Sequence, residues 1–171
     1  YYNEMNAKGQ IVGACYDAEG LNYTAYATDA NGKNIHTIGL LSGSWSWTNG
    51  LNDNGVLVGD ATIAGDLVSH AWIKQPSGAM TDLGTLGGDN SYALNVNNKG
   101  LIVGISEFDT LGSGVHGFVI NPGSTTMIDV GSLGGTQMGL WEVNNKGVIG
   151  GFGSLAGDTE FRGFHAKPPY N

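Results

Sequence analysis

The sequence predicts an all-β, propeller-like fold of about four repeats, each with four strands in roughly 45 residues and the last repeat incomplete. The main observation is an Asn-x-x-Gly segment followed by an apolar run, which recurs at steps of 46, 45 and 47 residues. Its turn glycines are Gly9, Gly55, Gly100 and Gly147. We therefore interpret residues 1–171 as a single repeat domain, with repeats at approximately 1–46, 47–91, 92–138 and 139–171.

The first strand of each repeat ends at the Asn-x-x-Gly turn, as residues 1–6 do in the first repeat. Glycine is expected in this turn because a positive φ is costly for other residues. The second strand is apolar at consecutive positions instead of alternating, which indicates burial on both faces. Second strands are predicted at 10–15, 56–61, 101–106 and 148–153.

The third strand carries an aromatic residue 13 or 14 positions after the glycine that ends the apolar run. These aromatics are Tyr26, Trp72, Phe118 and Phe164. A turn containing Gly, Pro or Asn then leads to a fourth strand, which is predicted at 34–38, 79–83 and 126–130 and is missing from the last repeat. The alternative fold is a β-trefoil, whose three repeats leave no place for the fourth Asn-x-x-Gly copy.

Composition and charge narrow the classes of partner. Seven Lys and Arg residues against fifteen Asp and Glu residues give a net charge of −8, which argues against nucleic acid and anionic membrane surfaces as partners. No stretch approaches the ~18–20 apolar residues of a membrane-spanning helix, so membrane insertion is not expected. The low content of charged residues, 13%, favours an extracellular or cell-surface bacterial protein, with the periplasm as the alternative.

Three motifs in fixed order resemble those of a known family. They are His-Ala-Trp at 70–72, Asp-Leu-Gly-Thr-Leu-Gly-Gly at 82–88 and Asn-x-x-Gly-x-x-Val-Gly at 97–104. Together they make the chain similar to the bacterial extracellular HAF-repeat family over essentially its whole length. The resemblance implies a secreted or surface-exposed protein of propeller-like build, and it implies no enzyme activity.

Two histidines, His70 and His116, occupy equivalent repeat positions and could in principle form a two-ligand metal site. The equivalent residues of the other repeats are Thr24 and Arg162, and the cationic Arg162 disfavours a metal. We therefore expect a structural role, with each imidazole hydrogen-bonded to the backbone of a neighbouring blade. No metal ligand, cofactor or catalytic residue is assigned.

The acidic residues allow a functional and a structural interpretation. Asp82 and Asp129 could be the paired carboxylates of a hydrolase, but their recurrence before a glycine favours turns in which the side chain accepts backbone N–H groups. A further group lacks the Asp-x-Asp-x-Asp spacing of a calcium loop and is interpreted as solvated loop carboxylates. This group comprises Asp60, Asp66, Asp109, Asp158 and Glu160.

The candidate ligand-binding residues are three aromatics, Trp45, Trp47 and Tyr92. Trp45 and Trp141 depart from the repeat pattern, while Trp47 and Tyr92 share one repeat position. Exposed aromatics beside Asn, Asp and Gly can stack on sugar rings or anchor a protein partner. The alternative is that these side chains plug a channel or cap the ends of the fold.

These observations predict a non-enzymatic, secreted or cell-surface binding module with a glycan or protein partner. One alternative is a structural subunit of an extracellular or envelope assembly, in which the open edge of the incomplete repeat self-associates by strand addition. The other is a carbohydrate-active hydrolase or lyase that uses Asp82 or Asp129.

Overall fold

A computed structural model describes residues 1–16 and 19–169, which form strands and no helix. The strands are β1 (Tyr2–Met5), β2 (Ile11–Tyr16), β3 (Tyr23–Thr28), β4 (Ile35–Gly39), β5 (Ser46–Leu51), β6 (Leu57–Thr62), β7 (Ser69–Lys74), β8 (Thr81–Asp82), β9 (Ser91–Val96), β10 (Ile102–Glu107), β11 (Val115–Ile120), β12 (Ile128–Asp129), β13 (Gly134–Val143), β14 (Ile149–Leu155) and β15 (Phe161–Ala166). The all-β prediction is confirmed. Within the described ranges there is accordingly no helix that could cross a lipid bilayer.

Within each unit, strands that follow one another in the chain pair antiparallel. Two sheets have the order β1-β2-β3-β4 and β5-β6-β7-β8, and β9 to β12 pair in the same sequential way. The last unit pairs β13, β14 and β15. Within the described part of the chain no strands close into a barrel, so the arrangement does not fit the β-trefoil alternative, which is built around one.

The third and fourth units join into one seven-stranded sheet. A single parallel pair, Val115 with Gln137, connects β11 to the long strand β13. Gly114 makes this approach feasible, because a Cβ at that position would lie 2.0 Å from the carbonyl oxygen of Thr136. The sequence pattern did not predict this junction, since backbone proximity between two repeats leaves no periodic signal.

Hydrophobic residues form three cores, and each core lies between two successive units. Leu57 and Ala61 of β6 pack toward the first sheet, whereas Val58 of the same strand packs toward the third unit. Every residue of β6 is buried, which confirms the prediction of a strand covered on both faces. Strand β14 differs, because Phe152 is 45% exposed.

The turn asparagines hold the repeated turns in shape. They are Asn6, Asn52, Asn97 and Asn144. In the second repeat, Asn52 Oδ1 accepts backbone N–H groups of Asn54 at 2.9 Å and Val56 at 3.0 Å, and the other three asparagines accept from the equivalent residues. The turn glycines have φ between 76° and 86°, as the pattern predicts.

The same asparagines connect successive repeats. Their Nδ2 groups donate to the backbone carbonyl of the next turn asparagine, from Asn6 to Asn52 at 3.1 Å, from Asn52 to Asn97 at 2.9 Å and from Asn97 to Asn144 at 2.9 Å. Asn6, Asn52 and Asn97 therefore use their side-chain oxygen within their own turn and their nitrogen to reach the next turn. The ladder aligns the first strands β1, β5, β9 and β13, which lie side by side in that order.

Candidate functional site

The predicted binding residues lie together at one cavity. Trp45, Trp47 and Tyr92 line an open space of about 360 Å³, and all three side chains are partly buried. We call this space the aromatic cavity. Its remaining walls are Asn49, Asp60, Leu94, Ile105 and Trp141.

Strand register explains how these side chains come together. Trp47 on β5 is directly opposite Asp60 on β6, and Tyr92 on β9 is directly opposite Ile105 on β10. Directly opposed residues of an antiparallel pair project from the same face of a sheet, so each pair contributes two neighbouring side chains to the wall. The repeat therefore places equivalent pairs from two successive units around one cavity.

Trp141 completes the aromatic wall from the fourth unit. The residue that aligns with Trp47 and Tyr92 in this unit is Gly139, and a Cβ there would lie 2.8 Å from Nε1 of Trp141. The indole of Trp141 thus covers the position that an aromatic side chain occupies in the preceding repeats. It remains 43% exposed and stacks on Phe152 at a centroid distance of 5.7 Å.

A second cavity of about 320 Å³ adjoins the first and shares Trp45 and Trp47 with it. Tyr23 forms another part of its wall, with its ring centroid 5.1 Å from that of Trp47. Tyr1 packs against both rings at 5.5 Å, and Tyr16 stacks on Tyr23 at 4.5 Å. The aromatic surface therefore continues from the second cavity into the first through the shared Trp45 and Trp47.

Asp60 is the ionisable carboxyl group of the aromatic cavity. Its side chain lies on β6, the residue is only 6% exposed, and it accepts a hydrogen bond of 2.8 Å from Asn49 Nδ2. Burial raises the pKa of Asp60 to about 6, and the hydrogen bond from Asn49 opposes that rise only in part. The interpretation of Asp60 as a solvated loop carboxylate is therefore wrong, because the residue lies within a fully buried strand.

We expect Asp60→Asn to stabilise the protein at neutral pH by roughly 1–3 kcal/mol. The pKa of Asp60 is about 6 in the folded protein and ordinarily 3.8, so the folded state holds this proton more tightly than the unfolded chain. The stability that this proton contributes is fully present below the ordinary pKa and is lost as the pH rises through the folded-state value.

Chemical unfolding of both proteins between about pH 4 and 7 measures this difference. The gain from Asp60→Asn should grow over that interval and then level off. Asp89→Asn, which removes an exposed carboxylate, controls for the loss of one charge. A gain that is independent of pH would contradict the assignment of an unfavourable buried charge to Asp60.

The two histidine positions form pairs with aspartates of their own sheet. His70 Nδ1 lies 2.9 Å from Asp82, and His116 Nδ1 lies 2.9 Å from Asp129. The expected contact with the backbone of a neighbouring blade is therefore wrong, because the adjacent strand brings a carboxylate within reach first. The predicted turns are confirmed, since Oδ1 of each aspartate accepts the N–H of the glycine two residues later at 2.7 Å.

Three of the other candidate carboxylates accept hydrogen bonds from backbone N–H groups. Asp66 accepts the N–H of Ser44, Asp109 that of Leu111 and Asp158 that of Thr136. Hydrogen bonds from side chains and backbone lower the pKa of all three. In residues 1–16 and 19–169 there is no cluster of three or more His, Cys, Asp or Glu residues suited to a metal ion.

Three further spaces have polar walls. The first, of about 290 Å³, is lined by the turn asparagines and by Glu4 and Glu142, and burial raises the pKa of Glu4. Three of its turn asparagines already use their amide nitrogens in the ladder between repeats. The second, of about 300 Å³, is lined by the same two glutamates and shares Asn49 with the aromatic cavity. The third is a groove of about 540 Å³ around Asn54 and Lys99, and neither an aromatic nor an acidic side chain lines it. The aromatic cavity is therefore the better candidate site.

Reasoning from the sequence missed Asp60 and Asn49 as parts of this site. A signal for Asp60 is present, because the equivalent residues of the other repeats are Ala14, Ile105 and Phe152. An acidic residue at a position that is otherwise small or apolar departs from the packing pattern. For Asn49 the signal is weak, since Asn3 occupies the same position in the first repeat.

Comparison with known proteins does not assign the chain to a family. No model of a protein family matches it, and no curated protein is significantly similar to it. Membership of the HAF-repeat family, the division into four repeats and the bacterial surface location stay predictions from the sequence.

Proposed function

We propose that this protein is a carbohydrate-binding module that stacks sugar rings on Trp45, Trp47 and Tyr92. The observation that supports this function best is the common cavity of these aromatics with Asn49 and Asp60. Aromatic faces match the apolar faces of a pyranose ring, while an amide and a carboxylate can bind its hydroxyl groups. This chemistry needs no catalytic residue, so the proposed role is non-enzymatic.

The shape of the site favours a glycan over a protein partner. The two adjoining cavities, of about 360 and 320 Å³, each fall within the size range of small-molecule sites, about 300–1,000 Å³. They share Trp45 and Trp47, so two consecutive rings of one oligosaccharide can lie against the same pair of indoles. A single cavity of this size would accommodate one sugar ring, whereas the two adjoining cavities can accommodate consecutive rings of an oligosaccharide.

We also propose a propeller-like arrangement of the four units in a secreted or cell-surface bacterial setting. Cores between successive sheets, a ladder of asparagines and first strands that lie side by side support the arrangement. The acidic and glycine-rich composition supports the setting. In such an arrangement the aromatic surface lies at the end of the first strands opposite the Asn-x-x-Gly turns.

The alternative functions have less support. Asp82 and Asp129 belong to different units, and each binds its own histidine and turn, which accounts for them without a hydrolase or lyase. Assembly by strand addition remains a second prediction from the sequence. In the described part of the chain β15 has no outer partner, whereas the equivalent strands β3, β7 and β11 each pair with a fourth strand.

Trp45→Ala is expected to weaken oligosaccharide binding roughly 30-fold, as the loss of a hot-spot side chain worth about 2 kcal/mol does. Trp45 lines both cavities, and its backbone bonds to Thr62 do not depend on the indole. Titration of intrinsic fluorescence against gluco-, manno-, galacto- and chito-oligosaccharides measures the affinities. Tyr2→Ala is the control, because Tyr2 is 62% exposed and lines neither cavity.

Two outcomes would overturn the proposal. In one, the wild-type protein binds none of the oligosaccharides. In the other, Trp45→Ala binds as tightly as Tyr2→Ala. A thermal unfolding curve of each variant establishes that the fold is retained in the samples that are compared.

A further inference from the structure

The charge inside the aromatic cavity is not balanced by the protein. Asp60 is the only charged residue in its wall, and neither Lys nor Arg lines this cavity or the adjoining one among the described residues. The hydrogen bond from Asn49 supplies a dipole but no positive charge. Burying a carboxylate without a cationic partner is unfavourable, so a cationic group of a ligand beside Asp60 would be stabilised.

The carboxylate is nevertheless charged under neutral conditions. With a pKa of about 6, Asp60 is mostly ionised at pH 7. The pKa of the Tyr92 phenol is raised, first by burial and then by the negative charges of Asp60 and Glu107. The aromatic cavity therefore has a negative potential that would repel an acidic sugar and attract a cationic one.

The walls are also suited to a cation. Indole and phenol faces attract an ammonium group through their quadrupole, and the attraction is strongest where water is excluded. Trp45, Trp47 and Trp141 supply three indoles to the wall that contains Asp60, and Trp47 is directly opposite Asp60 in the sheet. A neutral hydroxyl group can donate a hydrogen bond to Asp60, but only a positively charged group both donates and neutralises the buried charge.

We propose that the glycan bound in the aromatic cavity carries a free amino group, whose ammonium pairs with the Asp60 carboxylate while the sugar ring stacks on the indoles. This inference rests on the proposed function and narrows the ligand to amino-sugar oligosaccharides. The adjoining cavity, which shares Trp45 and Trp47, accommodates the next ring of the chain. Asp60 is thus the residue that determines specificity.

Three probes of equal length and linkage test this inference with the full chain: β-1,4-linked oligomers of glucosamine, N-acetylglucosamine and glucose. The glucosamine oligomer is expected to bind at least about tenfold more tightly than the other two, because it alone forms a charge-assisted bond. Asp60→Asn should remove this preference, so that the three oligomers bind with similar affinities. Asp89→Asn has the same net charge as Asp60→Asn and should retain the preference, which separates the site from general attraction to an acidic protein.

The pH dependence gives a second readout. Among the described residues, the titratable neighbours of this part of the site are Tyr92 on β9 and, through Tyr92, Glu107 on β10. Glu4 and Glu142 line an adjoining space that shares Asn49 with the aromatic cavity. The preference for glucosamine should decrease as the pH falls through about 6 and Asp60 becomes protonated. The sugar amine itself titrates near neutral pH, so the same pH series with Asp60→Asn is the reference, and only the decrease that is absent from Asp60→Asn reports on the carboxyl group.

The outcomes distinguish this inference from the proposed function. Equal binding of the three oligomers, or a preference that survives in Asp60→Asn, would overturn the role of the ammonium and leave carbohydrate binding intact. If none of the three oligomers and none of the other oligosaccharides binds, carbohydrate binding fails, and the specificity assigned to Asp60 fails with it.

Discussion

Gly104→Ala is expected to destabilise the protein by about 3 kcal/mol or more. A Cβ at Gly104 would lie 2.1 Å from the carbonyl oxygen of Tyr92 and 2.7 Å from Cζ of Phe118. The first is rigid backbone at a β-bulge between β9 and β10, and the second is a fully buried ring. Neither can move aside without disturbing the core, so the strain cannot relax locally.

The same contact recurs in the second repeat, where a Cβ at Gly59 would meet the carbonyl oxygen of Trp47 at 1.9 Å and the Trp72 ring at 2.7 Å. The glycine that ends each apolar run therefore has a defined role. In all four repeats, at Gly13, Gly59, Gly104 and Gly151, it admits a backbone carbonyl from the first-strand segment, and at Gly59 and Gly104 it also lies against the aromatic ring of the third strand. Because Trp47 and Tyr92 supply two of these carbonyls, the glycines also position the aromatic cavity.

Gly150→Ala provides a matched control within the same protein. Gly150 also lies in a second strand, but the nearest atom to its added Cβ is the carbonyl oxygen of Phe164 at 3.9 Å. Its substitution should be neutral or stabilising by up to about 1 kcal/mol, since alanine loses less backbone entropy on folding. Urea unfolding of the two variants makes the comparison, and equal stabilities would contradict the steric explanation.

Asn97→Ala is expected to cost about 3–5 kcal/mol. The change leaves the N–H groups of Lys99 and Leu101 and the carbonyl of Asn144 without their hydrogen-bond partner. Asn97 is only 4% exposed, so water cannot readily replace the lost amide. Both the turn and the connection between the third and fourth repeats are affected.

Asn144→Ala separates the two roles of the amide. Asn144 closes its own turn through Lys146 and Val148, but its Nδ2 donates no hydrogen bond within the described part of the chain, and the residue is exposed. We expect a loss of about 1 kcal/mol for this variant. Thermal and urea unfolding would measure both variants, and similar losses would mean that the bond between repeats contributes little.

Much of the fold follows from local patterns in the sequence. Positive φ at the turn glycines, consecutive apolar residues in β6 and β10, and an aromatic residue in each third strand predict the strand order correctly. Each of these features reflects the conformation or burial of a single segment. The departure of Trp45 from the repeat also pointed to a residue of the candidate site, because a side chain that packing does not explain needs another reason. Trp141 departs from the repeat as well, but only the structure places it in the wall of the cavity.

The sequence by itself determined the all-β class, the turns that separate the strands and three aromatic residues of the cavity, since these depend on spacing along the chain. Only the tertiary structure decided that Asp60 is buried among those aromatics, that His70 pairs with Asp82, and that β11 joins β13. These features depend on which segments meet in space. Hydrophobic periodicity in a sequence indicates that a side chain is buried, but it does not indicate which residues pack against it. The chemistry of a site depends on those neighbouring residues.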